Sequence, residues 1–164
     1  MKNPTITLLT ITAILTILIS CASGVSAQDN SIPARDSGAV FADLEGKEWL
    51  LSGITRSGQT VHLDRNAIGM AGAYTISFQD NRVSGMGAPN RYFGPFSTGP
   101  GRALSIGNIA STLMAAIFEP EALKEHEFFA YLARISHWDL RDGSLELHSS
   151  DNDESLVVLT FKEN

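Results

Sequence analysis

Tyr74-Thr75-Ile76-Ser77-Phe78-Gln79-Asp80-Asn81-Arg82-Val83-Ser84-Gly85-Met86 is the stretch that decides the fold. Tyr74, Ile76 and Phe78 point one way and Thr75 and Ser77 the other, which is the period of a strand with one buried face. Gln79-Asp80-Asn81 is a tight turn, because Asp and Asn tolerate left-handed backbone. The return strand is Arg82-Val83-Ser84-Gly85-Met86. Towards the N-terminus, Trp49-Leu50-Leu51-Ser52-Gly53-Ile54 is apolar enough for a strand and Ser57-Gly58 turns it. Thr60-Val61-His62-Leu63-Asp64 alternates, with Val61 and Leu63 expected on one face. Ala103-Leu104-Ser105-Ile106 is a further short strand. Near the C-terminus, Trp138-Asp139-Leu140 and Ser144-Leu145-Glu146-Leu147-His148 flank Asp142-Gly143, a strong hairpin signal. After a turn at Ser150-Asp151-Asn152-Asp153, Leu156-Val157-Val158-Leu159-Thr160-Phe161 forms the last strand.

One helix interrupts the strands. Phe128, Tyr131, Leu132 and Ile135 fall at i, i+3, i+4 and i+7 and make one apolar stripe. Pro120 suits the first helical position, and Glu119, Glu121 and Glu125 place negative charge in the early turns. Strands before and after a single helix define an α+β fold. Its antiparallel sheet is expected to curl into a small barrel, with the amphipathic helix packed against it.

The chain has 164 residues, enough for one ordinary domain. Its hydrophobic fraction of 43% supplies a core and argues against wholesale disorder. Twelve cationic against eighteen acidic residues give a net charge of -6. Such a chain lacks the clustered cations of a nucleic-acid binder, and no nucleic-acid partner is expected. One cysteine cannot form an internal disulfide and excludes a zinc site built on several thiolates.

Residues 1–20 read as a signal peptide. Lys2 precedes an uncharged run from Thr5 to Ile19, too short for a membrane span. The run ends in Leu18-Ile19-Ser20-Cys21, which resembles the lipobox of bacterial lipoproteins. In that pattern Cys21 receives diacylglycerol and becomes the new amino terminus, so the expected partner is a membrane and the expected place the cell envelope. The alternative is secretion of a free chain, with Val25-Ser26-Ala27 as the small-x-small cleavage signal before Gln28. The lipobox is preferred because the only Cys sits at the end of the apolar run. Residues 21–40 then form the lipidated terminus and a polar, Pro- and Gly-broken tether, and residues 41–164 the folded domain. Removal of residues 1–20 leaves 11 cationic and 18 acidic residues, a net charge of -7.

The middle and end of the chain carry a family likeness. Val83-Ser84-Gly85, then Asn90-Arg91-Tyr92-Phe93-Gly94, then Leu104-Ser105-Ile106-Gly107-Asn108-Ile109-Ala110-Ser111-Thr112-Leu113-Met114-Ala115 resemble the META domain of HslJ-type bacterial heat-inducible lipoproteins. The lead-in Gly46-Lys47-Glu48-Trp49-Leu50-Leu51 and the closing Trp138-Asp139-Leu140, Leu145-Glu146-Leu147 and Leu159-Thr160-Phe161 fit as well. The likeness spans roughly residues 44 to 162. It implies a non-enzymatic cell-envelope protein connected with stress or secretion, with a binding or assembly role. Family members often carry a Cys pair at the places of Pro89 and Ala116 and an Arg at that of Leu113. The joint loss of both thiols is what losing a bridge would look like, so the body is expected to fold without a disulfide.

Chemistry-bearing residues are sparse, no catalytic set is read, and no cofactor is expected. Ala103-Leu104-Ser105-Ile106-Gly107 is one residue short of the Gly-x-Ser-x-Gly nucleophile elbow, and core strand is the preferred reading. A small secreted or periplasmic hydrolase is the competing function, and it would need Ser105 and a His in one cleft. His126-Glu127 opens like a zinc helix, but Ala130 stands where the second His belongs. His62, His126, His137 and His148 have no recognised ligand spacing, and no metal site is expected. Asp151-Asn152-Asp153-Glu154 lacks the Gly and distant Glu of a calcium loop and reads as a solvated turn. Gly99-Pro100-Gly101-Arg102 is a turn and not a phosphate loop. Asn90, Arg91 and Tyr92 are the candidate ligand-binding residues, since a guanidinium beside aromatics could bind a carboxylate, a sugar or a peptide. The structural alternative is preferred: Asn90 capping a turn, Gly94 at positive φ, and Tyr92 and Phe93 packing.

Overall fold

Three two-residue turns fold the chain into hairpins. Ser57-Gly58, Asp80-Asn81 and Asp142-Gly143 all have positive φ at both positions, the geometry whose twist matches the flanking strands. Gly58 and Gly143 meet that demand without the steric cost of a Cβ. In the computed structural model the described residues are 38–67, 70, 72–117 and 120–164. Residues 1–37, where the expected signal peptide, Cys21 and nearly all of the expected tether fall, lie outside them.

A 3-10 turn at Phe41–Asp43 leads into β1 (Glu48–Arg56), β2 (Gln59–His62), β3 (Thr75–Gln79), β4 (Arg82–Met86), β5 (Arg91–Thr98), β6 (Leu104–Ile106) and β7 (Ala110–Ser111). Helix α1 (Glu125–Leu132) follows, then β8 (His137–Arg141), β9 (Ser144–Ser150) and β10 (Leu156–Glu163). All the strand pairs are antiparallel, in the order β6-β5-β4-β3-β1-β10-β9-β8, with β2 on β1 and β7 on β5. The ends of this order nearly meet. Ala103 bridges His137, Leu104 N donates to Ser136 O at 3.1 Å, and Trp138 N to Arg102 O at 3.0 Å. The Arg102 side chain pairs with the buried Asp139 carboxylate and lies over the Trp138 ring at 5.0 Å. Arg141 Nε donates to the same carboxylate. Burial pushes the Asp139 pKa up, but the two guanidiniums outweigh it and hold the group below its usual value.

The expected α+β architecture is present in this form: an antiparallel sheet nearly closed into a barrel, with one α-helix among the described residues. Alternating side chains fill the inside. Trp49, Leu51 and Ile54 come from β1, Ile76 and Phe78 from β3, Leu145 and Leu147 from β9, and Val157, Leu159 and Phe161 from β10. Phe41 meets Phe78, Phe96 and Trp138 with ring centroids 5.1–5.5 Å apart. The stripe read from the helix sequence is buried as expected, with Phe128, Tyr131, Leu132 and Ile135 all in the core. Each such Phe, Leu or Ile contributes about 1.5–3 kcal/mol of burial.

Four local expectations need correction. The helix starts at Glu125, not near Pro120, because Lys124 is extended and its amide is bonded by the Glu127 carboxylate at 2.8 Å. The helix also ends before Ile135, which turns inward through the bonds Arg134 N to Tyr131 O and Ile135 N to Leu132 O. Val61 and Leu63 do not share an environment: Leu63 is buried beyond the end of β2, whereas Val61 is 46% exposed on a strand paired only with β1. Gly94 sits inside β5 without positive φ. Its value lies in close approach, since a Cβ there would stand 3.0 Å from the Asn108 carbonyl oxygen.

Candidate functional site

Asn90 immediately precedes β5, which opens with Arg91 and Tyr92, and alternation turns Arg91 to the side opposite Asn90 and Tyr92. Asn90 is buried, and its amide is fully occupied by the protein. The Oδ1 atom accepts the Thr112 hydroxyl at 2.9 Å and the Met114 amide at 2.6 Å. The Nδ2 group donates to Glu125 Oε2 at 2.6 Å and to the Met114 carbonyl at 3.1 Å. These four contacts use the whole capacity of a carboxamide. Glu125, in the first turn of α1, completes the arrangement. Its Oε1 accepts the amides of Ala88 at 2.6 Å and Asn90 at 2.7 Å. Gly87 makes room, because a Cβ there would meet Oε1 at 2.4 Å and the Phe129 ring at 2.9 Å.

Tyr92 points inward. Its hydroxyl donates to Thr75 O at 2.8 Å, and its ring meets Phe128 and Phe129 at 5.8 and 5.4 Å. Burial pushes its pKa well above the ordinary value. Arg91 points outward and is exposed. With Glu48, Ser77, Ser84 and Phe93 it lines a shallow groove of about 340 Å³ on the outer face of the sheet. Arg82 lies over the Phe93 ring at 5.1 Å beside this groove. Tyr92 also borders this groove, but its ring and hydroxyl are committed inward, and Asn90 is not among the residues that line it.

Sequence reasoning missed what Asn90 and Glu125 do together. They pin the segment after β7, and that segment displays apolar side chains: Leu113 is 98%, Ile117 89% and Met114 55% exposed. No charge occurs between Asn108 and Phe118. The available signals were Gly87 just before the Asn90 block and a carboxylate at the head of the apolar helix. Neither spacing announces a contact across 35 residues.

The other candidates are dispersed. The Ser105 hydroxyl faces that of Ser97 at 2.8 Å, in a surface hollow whose lining includes Ile135 and Ser136 and no histidine. His137 and His148 oppose each other across β8 and β9 with rings 5.3 Å apart. Burial, and then the neighbouring His137, lower the His148 pKa. Asp151 to Glu154 form a turn in which the Asp151 amide bonds Ser155 O and Arg134 donates to Asn152 Oδ1 at 2.7 Å. Among the described residues no group of three or more His, Cys, Asp or Glu gathers as metal ligands. No described helix is long and apolar enough to cross a membrane.

A strand-rich barrel with one covering helix, and an Asn-Arg-Tyr-Phe-Gly strand that pins an Ala-Ser-Thr segment, is the setting in which the family match falls. The META domain family matches residues 42–162, and the chain belongs to that family. Two solved structures share the fold. A protein from Burkholderia xenovorans, solved by NMR, is 21% identical with a TM-score of 0.55, covering 75% of this chain and 85% of its own. The crystal structure of a DUF4847 family protein from Bacteroides vulgatus is 14% identical with a TM-score of 0.54, covering 77% of this chain and 98% of its own. No functionally curated protein matches the chain.

Proposed function

We propose that the protein is a non-enzymatic cell-envelope lipoprotein: a META domain that acts by binding or assembly and hangs from a membrane through Cys21. The stress or secretion setting follows from the family likeness. The observation that carries the reading is where the polar groups go. Asn90, Tyr92 and Glu125 spend their hydrogen bonds holding the barrel and its loop, while apolar side chains fill the barrel. Contact with anything else falls to the outer face and its loops. Ser105 has no histidine in its hollow, so the hydrolase alternative lacks its base there.

The anchor rests on the sequence. The uncharged run ends in Leu18-Ile19-Ser20-Cys21, and the sequence from Ala22 to Ser37 is mostly small and polar, with Pro33 breaking any periodicity. A polar linker of about eighteen residues would span roughly 20–25 Å, enough to clear lipid headgroups. Diacylglycerol plus an amide-linked chain meets the two-signal requirement for stable anchoring. Intact-mass analysis of the mature protein from its native membrane should find acyl mass on Cys21. Cys21→Ser should leave an unprocessed precursor or release the chain into the soluble fraction. A mature chain that begins at Gln28 and carries no lipid would replace the anchor with ordinary secretion.

A further inference from the structure

Gly53 lies in the middle of β1 beside the bulge after Leu51, and the sheet places it between two polar partners. Its register neighbours are His62 on β2 and Thr160 on β10. The missing side chain leaves a hollow on the outer face, close enough that a Cβ would lie 3.3 Å from Val61 O and 3.6 Å from His62 Nδ1. The hollow measures about 390 Å³, and its polar lining is Ser52, Thr60, His62, Arg65, Thr160 and Lys162. That is within the range of small-ligand sites.

The charge pattern is unusual for this chain. Three basic residues and no carboxylate line the hollow, in a protein of net charge -6. Lys162 and His62 have no ion-pair partner among the described residues. Arg65 is fixed in the wall because its Nη1 donates to Ala73 O at 2.9 Å and to Leu51 O at 3.4 Å. Both acceptors are neutral, and burial draws its pKa down with no anion to offset it. Of the nearby carboxylates, Asp64 accepts the Asn66 amide at 2.9 Å, and Glu146, beside Thr160, lies between Arg141 and His148 at 3.8 Å from each. Ser52 donates to Thr160 O at 3.0 Å and so holds the bulged strand, whereas the Thr160 hydroxyl has no bond among the described residues.

We propose that this hollow is a binding site for a phosphate-bearing ligand. Two permanent cations, with a histidine and a hydroxyl at hand, match an oxyanion of charge about -1.5 to -2 better than a single carboxylate. The fixed guanidinium supplies a preformed donor, and flexible Lys162 closes from the rim as a point charge. The size of the hollow leaves space for the group that the phosphate is attached to. A soluble phosphate ester and a phospholipid headgroup share this chemistry. The site stands apart from the anchor proposal and does not depend on it.

The test uses the isotope-labelled full chain in neutral detergent, titrated with inorganic phosphate at constant ionic strength against a chloride reference. Saturable amide shifts should cluster at Gly53, His62, Arg65, Thr160 and Lys162. Lys162→Glu should weaken the affinity at least tenfold, and His62→Gln by a smaller factor. Both side chains are exposed, so the rest of the amide spectrum should remain folded. Glycerol 3-phosphate and dihexanoyl-phosphatidylglycerol below its micelle concentration separate the sources. Tighter binding of the first assigns a soluble ester, and of the second a headgroup. Shifts that do not saturate, that chloride reproduces, or that Lys162→Glu leaves intact would overturn the site.

Discussion

The last three strands and the segment from residue 110 to 117 are held by different physics. Strands β8, β9 and β10 form continuous ladders, with seven registered pairs between β9 and β10 and five between β8 and β9. Their inner faces carry Trp138, Leu145, Leu147, Val157, Leu159 and Phe161. Residues 110–117 contain only the two-residue strand β7, and all of them are exposed. There the chain is fixed by polar contacts from outside it: Asn90 grips Thr112 and Met114, and Glu125 grips Asn90. A ladder spreads its stability over many bonds, while a pinned segment concentrates it in a few. Losing one apolar contact should therefore damage the whole domain in the first region. Losing one polar contact in the second should release a local piece.

The largest expected effect is a truncation in the packed helix face over the barrel. Leu132 is fully buried, so Leu132→Ala removes both burial and close packing. It should cost about 2–5 kcal/mol of global stability. A denaturant titration should show a lower midpoint with an unchanged slope. If the variant melted like the wild type yet lost a partner, the stripe would be a binding face and not core.

A smaller and more local effect is expected at Glu125. Its two oxygens accept from three donors: the Ala88 amide, the Asn90 amide and the Asn90 Nδ2 group. Glu125→Gln turns one acceptor into a donor that faces another donor. Leaving one such buried group unpaired should cost about 1–3 kcal/mol. Amide exchange should quicken at Asn90, Thr112 and Met114, while the β9–β10 ladder keeps its protection. Uniform acceleration through both regions would mean that the pin belongs to the global core, and the contrast between the two regions would fail.

The same contrast explains what the sequence could reveal. The hairpins were legible because their causes are local: Asp80-Asn81 and Asp142-Gly143 specify their turns, and Tyr74, Ile76 and Phe78 specify the buried face. The apolar stripe of α1 was legible for the same reason. The helix start was not, because Glu125 serves residues some 35 positions away instead of only starting its own helix. Closure through Ala103 and His137 joins segments 34 residues apart, and no pattern in either strand foretells it. Asn90 was marked as a capping residue or a ligand contact. Its place just before β5 shows why the two readings were hard to separate, since an amide buried against a loop uses the same donors as one facing a ligand. The hollow at Gly53 was hidden in a different way. His62 and Arg65 are neighbours in the chain but lie far from Lys162, and the register of β2 and β10 on β1 brings the two ends together.

The smallest expected effect comes from Leu113, and it sharpens the comparison most directly because it concerns the same residue type as Leu132. Leu113 is 98% exposed, so its side chain gains almost nothing from the fold. The backbone at that point is held by its neighbours, with the Thr112 amide bonded to Arg91 O at 3.0 Å and the Met114 amide to Asn90 Oδ1. Leu113→Asn leaves both bonds in place and exchanges an exposed apolar group for a polar one. Surface changes of this kind usually stay within about 0.5 kcal/mol. Thermal and denaturant melts of Leu113→Asn should therefore superimpose on the wild type within that margin. A loss of 2 kcal/mol or more, on the order of a buried leucine, would mean that Leu113 is covered in solution. The pinned segment would then carry apolar packing of its own, and the distinction between a ladder held by burial and a loop held by polar pins would no longer describe this domain.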